Sequence, residues 1–332
     1  MLKKIFLILF GLSLILIILE LSLRLYPEFG YRYHSFKFKS EKLGLSDFSY
    51  LQPSALLGYE LIPNTKSSIN SYGLIGEEYK INKDKDIFRI LILADSIGFS
   101  EWPTIFLRKE LNVNFFFPKN KNCEVWTLGV PSYDVRRYAL FLQHIGLRYN
   151  PDMIIIFLFM NDFSLNVNMY YKSKNGAVAY HFPIFEISKL YTPNPFLMRY
   201  SYLYRFIILR MDSFLLGRKR TQGIDSYEEN GRYYLKKIKQ ICEINNIPLF
   251  VIIFPYLKLL DVYEDWQMSE YSIICKVVKD LRIPCYNLYN LYEQLLKENF
   301  PLRCGDNDDI HPSKEASRII AKEISNYILE KF

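Results

Sequence analysis

Five short apolar runs, separated by segments of helical periodicity, constrain this chain more than any other feature. They are FRILILA (88–94), CEVWTL (123–128), MIIIFLF (153–159), PLFVIIF (248–254) and IPCYNL (283–288). Runs this short and this continuous belong to strands buried on both faces. The intervening segments, 102–111, 133–149, 228–244, 263–281, 291–298 and 312–329, read as helices. Val135, Leu140, Leu142 and Ile145 mark one apolar helix face, and Ile319, Ile320, Ile324 and Ile328 mark another. Strands alternating with helices predict right-handed βαβ units. The expected fold is therefore α/β, a five-stranded parallel sheet covered on both faces. With 50% apolar and 17% aromatic residues among 332, the chain can bury a core of that size.

The first 25 residues carry a second constraint. After Lys3 and Lys4 there is no charge from Ile5 to Leu19; Glu20 interrupts, and Leu21–Leu23 continue the apolar run. At about 1.5 Å per residue, Ile5–Leu23 makes a helix of roughly 28 Å, about the thickness of a bilayer's hydrocarbon core. Glu20 then falls near one interface, where its cost is smaller than at the centre. No small-x-small cleavage site follows, and no early Cys is available for lipid attachment. The expectation is an uncleaved anchor over residues 1–25. Lys3 and Lys4 would stay inside, and the rest of the chain would lie outside the cytoplasm. The next apolar segment, 201–216, is short and carries Arg205, Arg210 and Asp212.

Residues 26–87 read as an irregular lead-in and 88–332 as the main domain, with an aromatic-rich insertion at about 163–225. Tyr170, Tyr171, Phe182, Phe185, Tyr202, Tyr204 and Phe206 in that insertion suit either a lid or membrane-facing surface, or an extension of the core. The net charge of +7 is modest, and Lys80, Lys83, Lys85, Lys119 and Lys121 are scattered among acids. That is a solvated surface, so no nucleic-acid partner is expected. Cys123, Cys242, Cys275, Cys285 and Cys304 form no CxxC pair and are odd in number. Cys242 and Cys275 sit in apolar helical patterns as small buried residues. Nothing in the spacing reads as a zinc site, and neither metal nor organic cofactor is implied.

Open parallel sheets carry their sites at the carboxyl ends of the strands. Here the first strand ends in Asp95-Ser96, the second in Gly129 and the third in Asn161-Asp162, while CGDNDDIHPS (304–313) precedes the last helix. A serine hydroxyl needs a base within hydrogen-bond reach to act as a nucleophile. Of the four histidines, only His311 follows an acid-rich loop; His34 and His181 lie in loops without evident partners, and His144 lies in a helix. Asp308, three residues earlier, can orient the ring. Asp306 and Asp309 are its rivals. The backbone N–H groups of Ser96 and Gly129 and the Asn161 amide are suitable oxyanion donors. Asp95 and Asp162 read as turn-holding acids. Ser100, Ser132 and Ser313 lack a strand-end placement, and Ser313 suits the start of a helix.

These residues stand in the order of the four blocks of the SGNH (GDSL) hydrolases, which the sequence resembles. The blocks are ADSIG with Ser96, LGVPSYD with Gly129, FMND with Asn161, and DDIH with Asp308 and His311. The resemblance extends over about 57–332, and LGYELIPN (57–64) and NSYGLIGEEY (70–79) resemble the lead-in of membrane-anchored bacterial members. It implies a flavodoxin-like three-layer fold and a catalytic Ser96–His311–Asp308 triad, with an oxyanion hole from Ser96, Gly129 and Asn161. Two departures stand out: Ala94 replaces the glycine of GDS, and Phe159 replaces that of GxND. They are expected to narrow the site or shift the strand ends. The function so implied is an esterase or deacylase at the cell envelope, acting on an acylated glycan or lipid ester. An O-acyltransferase using the same acyl-serine is the alternative, and a non-catalytic binding protein that keeps the fold is a third. The sequence leaves the oligomeric state open.

Overall fold

A computed structural model describes the backbone of residues 2–25, 50–54, 56–113, 122–165, 168–173, 176–181, 197, 201–204, 206–207 and 227–331. The side chains at 2, 5, 8, 9, 52, 53, 58, 168–173 and 176–181 fall outside that description. The elements are α1 (Leu2–Leu25), β1 (Leu51–Ser54), β2 (Gly58–Leu61), β3 (Ile87–Ala94), α2 (Ser96–Phe99), α3 (Glu101–Val113), β4 (Asn122–Gly129), α4 (Val135–His144), β5 (Met153–Phe159), β6 (Asn168–Ser173), β7 (Gly176–His181), α5 (Tyr227–Ile244), β8 (Leu249–Phe254), α6 (Asp265–Asp280), β9 (Cys285–Asn287), α7 (Tyr289–Lys297) and α8 (Lys314–Lys331). They fall into two compact units, one of residues 1–60 and 167–224, the other of 61–166 and 225–332.

The second unit holds the expected five-stranded parallel sheet, in the order β4-β3-β5-β8-β9. Numbered along the chain this is 2-1-3-4-5, the flavodoxin-like order, whose switch point lies between the first and third strands. Every residue of β5 is buried, as its uninterrupted apolar run requires. Ala94 is level with Gly129 and Leu93 with Ile156, so β3, β4 and β5 end close together. The β3-to-β4 connection runs one way along the sheet and those from β4 onward run the other way, so right-handed crossovers put their helices on opposite faces. Accordingly α3 packs with α8, while α4, α5 and α6 pack in succession.

Arg89 on β3 is fully buried beneath this sheet. It pairs with Glu124 at 2.7 Å and donates to the carbonyls of Lys80, Ile81 and Tyr149 at 2.7, 2.9 and 2.6 Å. Its guanidinium also lies 4.7 Å from the Trp126 ring centroid. A buried cation so fully bonded clamps the lead-in, β4 and the α4–β5 connection to one strand.

Several expectations change in detail. Residues 133–149 are not one helix: α4 stops at His144, and a 3-10 turn runs from Gly146 to Tyr149. Gly146 sits against Leu91, where even a Cβ would come within 3.0 Å of Cδ2, so the chain must tighten there. The lead-in contains two short strands, β1 and β2, which form their own sheet. Its second motif remains irregular and is organised by Asn70, whose Oδ1 accepts from Tyr72 N–H and Leu74 N–H, both at 3.0 Å. Residues 26–49 lie outside the described residues, as does most of the 163–225 insertion, including the side chains of Tyr170, Tyr171, Phe182 and Phe185.

In the first unit, α1 is helical for 24 residues, with Phe6, Leu7, Phe10 and Leu12 more than half exposed. Taken on its described side chains alone, no helix is long and apolar enough to cross a membrane. Glu20, the acid that interrupts the apolar run, has a definite role. It accepts hydrogen bonds from the N–H of Tyr202 (3.0 Å) and Leu203 (2.8 Å), the Ser201 hydroxyl (2.9 Å) and Arg24 (2.8 Å). It thereby caps the turn at 201–204, as an acid at a helix start does.

Replacing Arg89 with Met is expected to leave Glu124 and three carbonyls without their buried partner. The loss should be about 3–5 kcal/mol, read as a lower urea midpoint at unchanged slope. Gly231→Ala should cost about 1–3 kcal/mol, because a methyl there would overlap the Phe163 ring.

Candidate active site

Ser96 is the first residue of α2, and Asp95 is the cap of that helix. Asp95 Oδ1 accepts from Ile97 N–H at 3.0 Å, and its other oxygen lies 3.4 Å from Ser96 Oγ. Asp95 therefore acts as a turn-holding acid. Burial pushes its carboxyl above the ordinary carboxylate range, against the Ile97 N–H and the His311 charge, which lower it. The helix rests on the end of β4 with no side chain between them. A Cβ on Gly129 would overlap the backbone of Gly98, so that glycine is required by close approach.

The other half of the site is the loop 304–313. Asp308 Oδ1 accepts from the N–H groups of Ile310 and His311, both at 2.9 Å, which folds the turn. Its Oδ2 lies 2.8 Å from His311 Nδ1. The opposite ring nitrogen, Nε2, lies 2.9 Å from Ser96 Oγ. Residues 215 positions apart thus join in one chain of hydrogen bonds, Asp308–His311–Ser96. The carboxylate accepts a hydrogen bond from Nδ1–H, which leaves the Nε2 lone pair facing the serine hydroxyl. Asp309 is engaged elsewhere, with Arg303 at 3.0 Å and Lys258 at 3.6 Å. The Asp306 carbonyl accepts from Arg303 at 3.4 Å. Ser313 Oγ accepts from Ala316 N–H at 3.0 Å at the start of α8.

The electrostatics follow from these contacts. Burial alone would push the Asp308 carboxyl up, but hydrogen bonds from the His311 ring, the Cys304 thiol and the His311 N–H hold it well below its ordinary range. Burial pushes the His311 ring down, and the bond to Asp308 with the charges of Asp308 and Asp95 outweighs it, so the ring is raised above its ordinary value.

Asn161 follows the end of β5. Its turn is held by Asp162, whose Oδ2 accepts from Phe159 N–H at 3.0 Å and from the Tyr138 hydroxyl at 3.2 Å. Burial pushes the Asp162 carboxyl well up, and the charge of Asp95 adds to this. Met160, beside Asn161, has its carbonyl bonded by the Tyr227 hydroxyl. Among the described residues, Asn161 Oδ1 is a buried acceptor with no partner. Gly129 and Asn161 thus stand at the ends of the strands that flank β3. β3 stops at Ala94 and β5 at Phe159, the ends expected from their apolar runs. His144 is exposed at the end of α4, while His34 and the side chain of His181 lie outside the described residues. All five cysteines are free. Sequence reasoning missed Cys304, whose thiol donates to Asp308 Oδ2 at 3.0 Å; its only signal was its position four residues before Asp308.

The arrangement can activate a hydroxyl by general-base catalysis and stabilise the imidazolium that results. No family model matches the sequence, and no curated protein does either. Solved structures with a similar course of chain include an acetyl xylan esterase, at 14% identity over 74% of this chain and 99% of that one, with a TM-score of 0.44. A lipase/acylhydrolase from Enterococcus faecalis matches at 14% identity over 74% of this chain and 96% of that one, with a TM-score of 0.44. A GDSL-like lipase from Bacteroides thetaiotaomicron matches at 14% identity over 74% and 89%, with a TM-score of 0.37. At these identities and scores the likeness bears on neither activity nor substrate.

Asp308→Asn removes the charge that raises His311 and leaves burial, which lowers it. The imidazole pKa, followed by ring nitrogen NMR, is expected to fall below that of the parent protein. An unchanged value would mean that Asp308 does not control the ring.

Proposed function

We propose that this chain is a serine ester hydrolase of the SGNH type. The observation that carries this reading is the unbroken hydrogen-bond chain from Asp308 through His311 to Ser96 Oγ, with bonds of 2.8 and 2.9 Å. Ser96 Oγ attacks the ester carbonyl while His311 Nε2 takes its proton. Asp308 holds the ring and balances the imidazolium. The tetrahedral oxyanion is met by the N–H groups of Ser96 and Gly129 and by the Asn161 amide. Collapse expels the alcohol, which receives the proton from His311, and leaves an acyl-Ser96. Water then repeats the sequence and releases the acid.

The same reading makes residues 1–25 a membrane anchor, supported by the charge-free run from Ile5 to Leu19 and its helical backbone. Lys3 and Lys4 would lie on the cytoplasmic side and the hydrolase unit outside. An acylated envelope glycan or a lipid ester is then the substrate class within reach. A sugar hydroxyl that took the place of water in the second step would make the enzyme an O-acyltransferase.

A fluorophosphonate probe is expected to label the full-length protein at Ser96, as read by peptide mass spectrometry. Labelling should vanish in Ser96→Ala and fall by about 10²–10⁴ in His311→Ala. A probe that leaves a folded protein unmodified would overturn the reading. Incubation of an acyl donor with and without a glycan acceptor distinguishes free acid from acylated glycan as product. Because the protonated imidazole has no Nε2 lone pair, labelling should also fall as pH drops through the His311 pKa, which lies above the ordinary histidine value. Removal of residues 1–25 is expected to release the protein from carbonate-washed membranes.

A further inference from the structure

Cys304 touches the Asp308 carboxylate, which bonds His311 Nδ1, the ring nitrogen opposite to the one that faces Ser96. Its Sγ is 3.0 Å from Asp308 Oδ2, which is itself 2.8 Å from His311 Nδ1. One ligand atom from each of the three residues falls within 4.8 Å of the other two, and among the described residues no other such group occurs. Thiolate, carboxylate and imidazole are the donors that a zinc-like cation takes, at about 2.3, 2.0–2.2 and 2.0–2.1 Å. In a tetrahedral site those bond lengths set the ligand atoms roughly 3.3–3.7 Å apart. The two separations at Asp308 Oδ2, now 3.0 and 2.8 Å, would each widen by roughly 0.5–0.7 Å to reach that spacing.

The loop backbone holds them in place. Cys304 N–H donates to the His311 carbonyl at 3.0 Å, Asp308 N–H donates to the Gly305 carbonyl at 3.0 Å, and Arg303 bridges Pro312. Asp308 Oδ1 is already occupied by two backbone N–H groups, which leaves Oδ2 to face a metal. Cys304 is exposed, so a cation can enter from solvent without passing Ser96.

We propose that Cys304, Asp308 and His311 form an inhibitory site for a thiophilic divalent cation of the Zn²⁺ class. The inference rests on the serine-hydrolase reading for its effect, though not for the binding itself. A cation can bind only the ring nitrogen that carries a lone pair. Coordination at Nδ1 therefore moves the imidazole proton to Nε2, and the thiol proton leaves to solvent. Nε2–H then donates to Ser96 Oγ instead of accepting its proton, and the serine is no longer activated. The fourth coordination position is left to water. Chelation reverses each step.

The full-length protein in detergent micelles is titrated with Cd²⁺ alone, with the ultraviolet thiolate-to-metal charge-transfer band as readout. In parallel, the rate of fluorophosphonate labelling at Ser96 is measured with Zn²⁺, each variant relative to its own metal-free rate. The expected result is a saturable band in the parent protein that is lost in Cys304→Ser, a change that keeps a hydroxyl donor toward Asp308. Zn²⁺ should slow labelling by about 10² or more, EDTA should restore it, and Cys304→Ser should need about tenfold or more Zn²⁺ for the same effect. A band that persists unchanged in Cys304→Ser would place the metal on Cys275 or Cys285 and overturn the proposal. A band that disappears in Cys304→Ser while Zn²⁺ leaves the parent's labelling rate untouched would overturn the inhibitory role. Absence of labelling in metal-free protein would sink the hydrolase reading instead, and the Cd²⁺ band would still decide whether the site exists.

Discussion

The backbone-to-backbone contact between α2 and the end of β4 is the constraint on which the site depends. Gly129 offers no side chain, and a methyl there would overlap the carbonyl group of Gly98. Gly98 is equally confined, since a Cβ would lie 2.5 Å from the Ala94 methyl and 3.0 Å from Thr127 Cγ2. The two glycines let a one-turn helix lie directly on the sheet edge, which fixes its first residue, Ser96, at the mouth of the strand ends. The contact also gives the Ala94 side chain its place. Its methyl is fully buried and occupies the space that Gly98 leaves.

The base and the acid are built by a different device. The 304–313 loop is closed on itself by short-range hydrogen bonds, so the Asp308–His311 geometry is set within a few residues. Two further contacts attach that loop to the segment after β8. Leu257 N–H donates to the Asp309 carbonyl at 2.8 Å, and Arg303 Nε donates to the Leu257 carbonyl at 3.0 Å. Each half of the Asp308–His311–Ser96 hydrogen-bond chain is therefore shaped locally, and the parallel sheet only brings the halves together. The entropy of joining residues 215 positions apart is offset by burial of the strands, not by the site. A site arranged in this way can keep its groups within hydrogen-bond distance without strain of its own.

This division also explains what could be read from the residues alone. The five strands were legible because each is a continuous apolar run, and their common polarity follows from the helices between them. Ser96, Gly129 and Asn161 were legible because topology sends every strand end to one edge. His311 and Asp308 were legible because the loop geometry is local, three residues apart. Contacts that depend on the third dimension were not. Nothing in the composition of 133–149 announces that Gly146 must sit against Leu91, and so the break after α4 was hidden. The Tyr227 hydroxyl on the Met160 carbonyl, the capping of 201–204 by Glu20 and the approach of Cys304 to Asp308 all join segments whose spacing carries no periodic signal.

The acids beneath the site show why its residues cannot be judged one at a time. Asp95, Asp134 and Asp162 are all buried. Asp134 is neutralised by Arg137 at 2.6 Å and accepts the Arg137 N–H as the cap of α4. Asp95 has a helix start to satisfy, and its charge also raises the His311 pKa. Asp162 has no cation partner among the described residues, and its Oδ1 is buried without a hydrogen bond. Burial pushes it toward its protonated form, which the charge of Asp95 reinforces. It can still hold the Asn161 turn in that form, because Oδ2 accepts from Phe159 N–H and the Tyr138 hydroxyl while the proton resides on Oδ1.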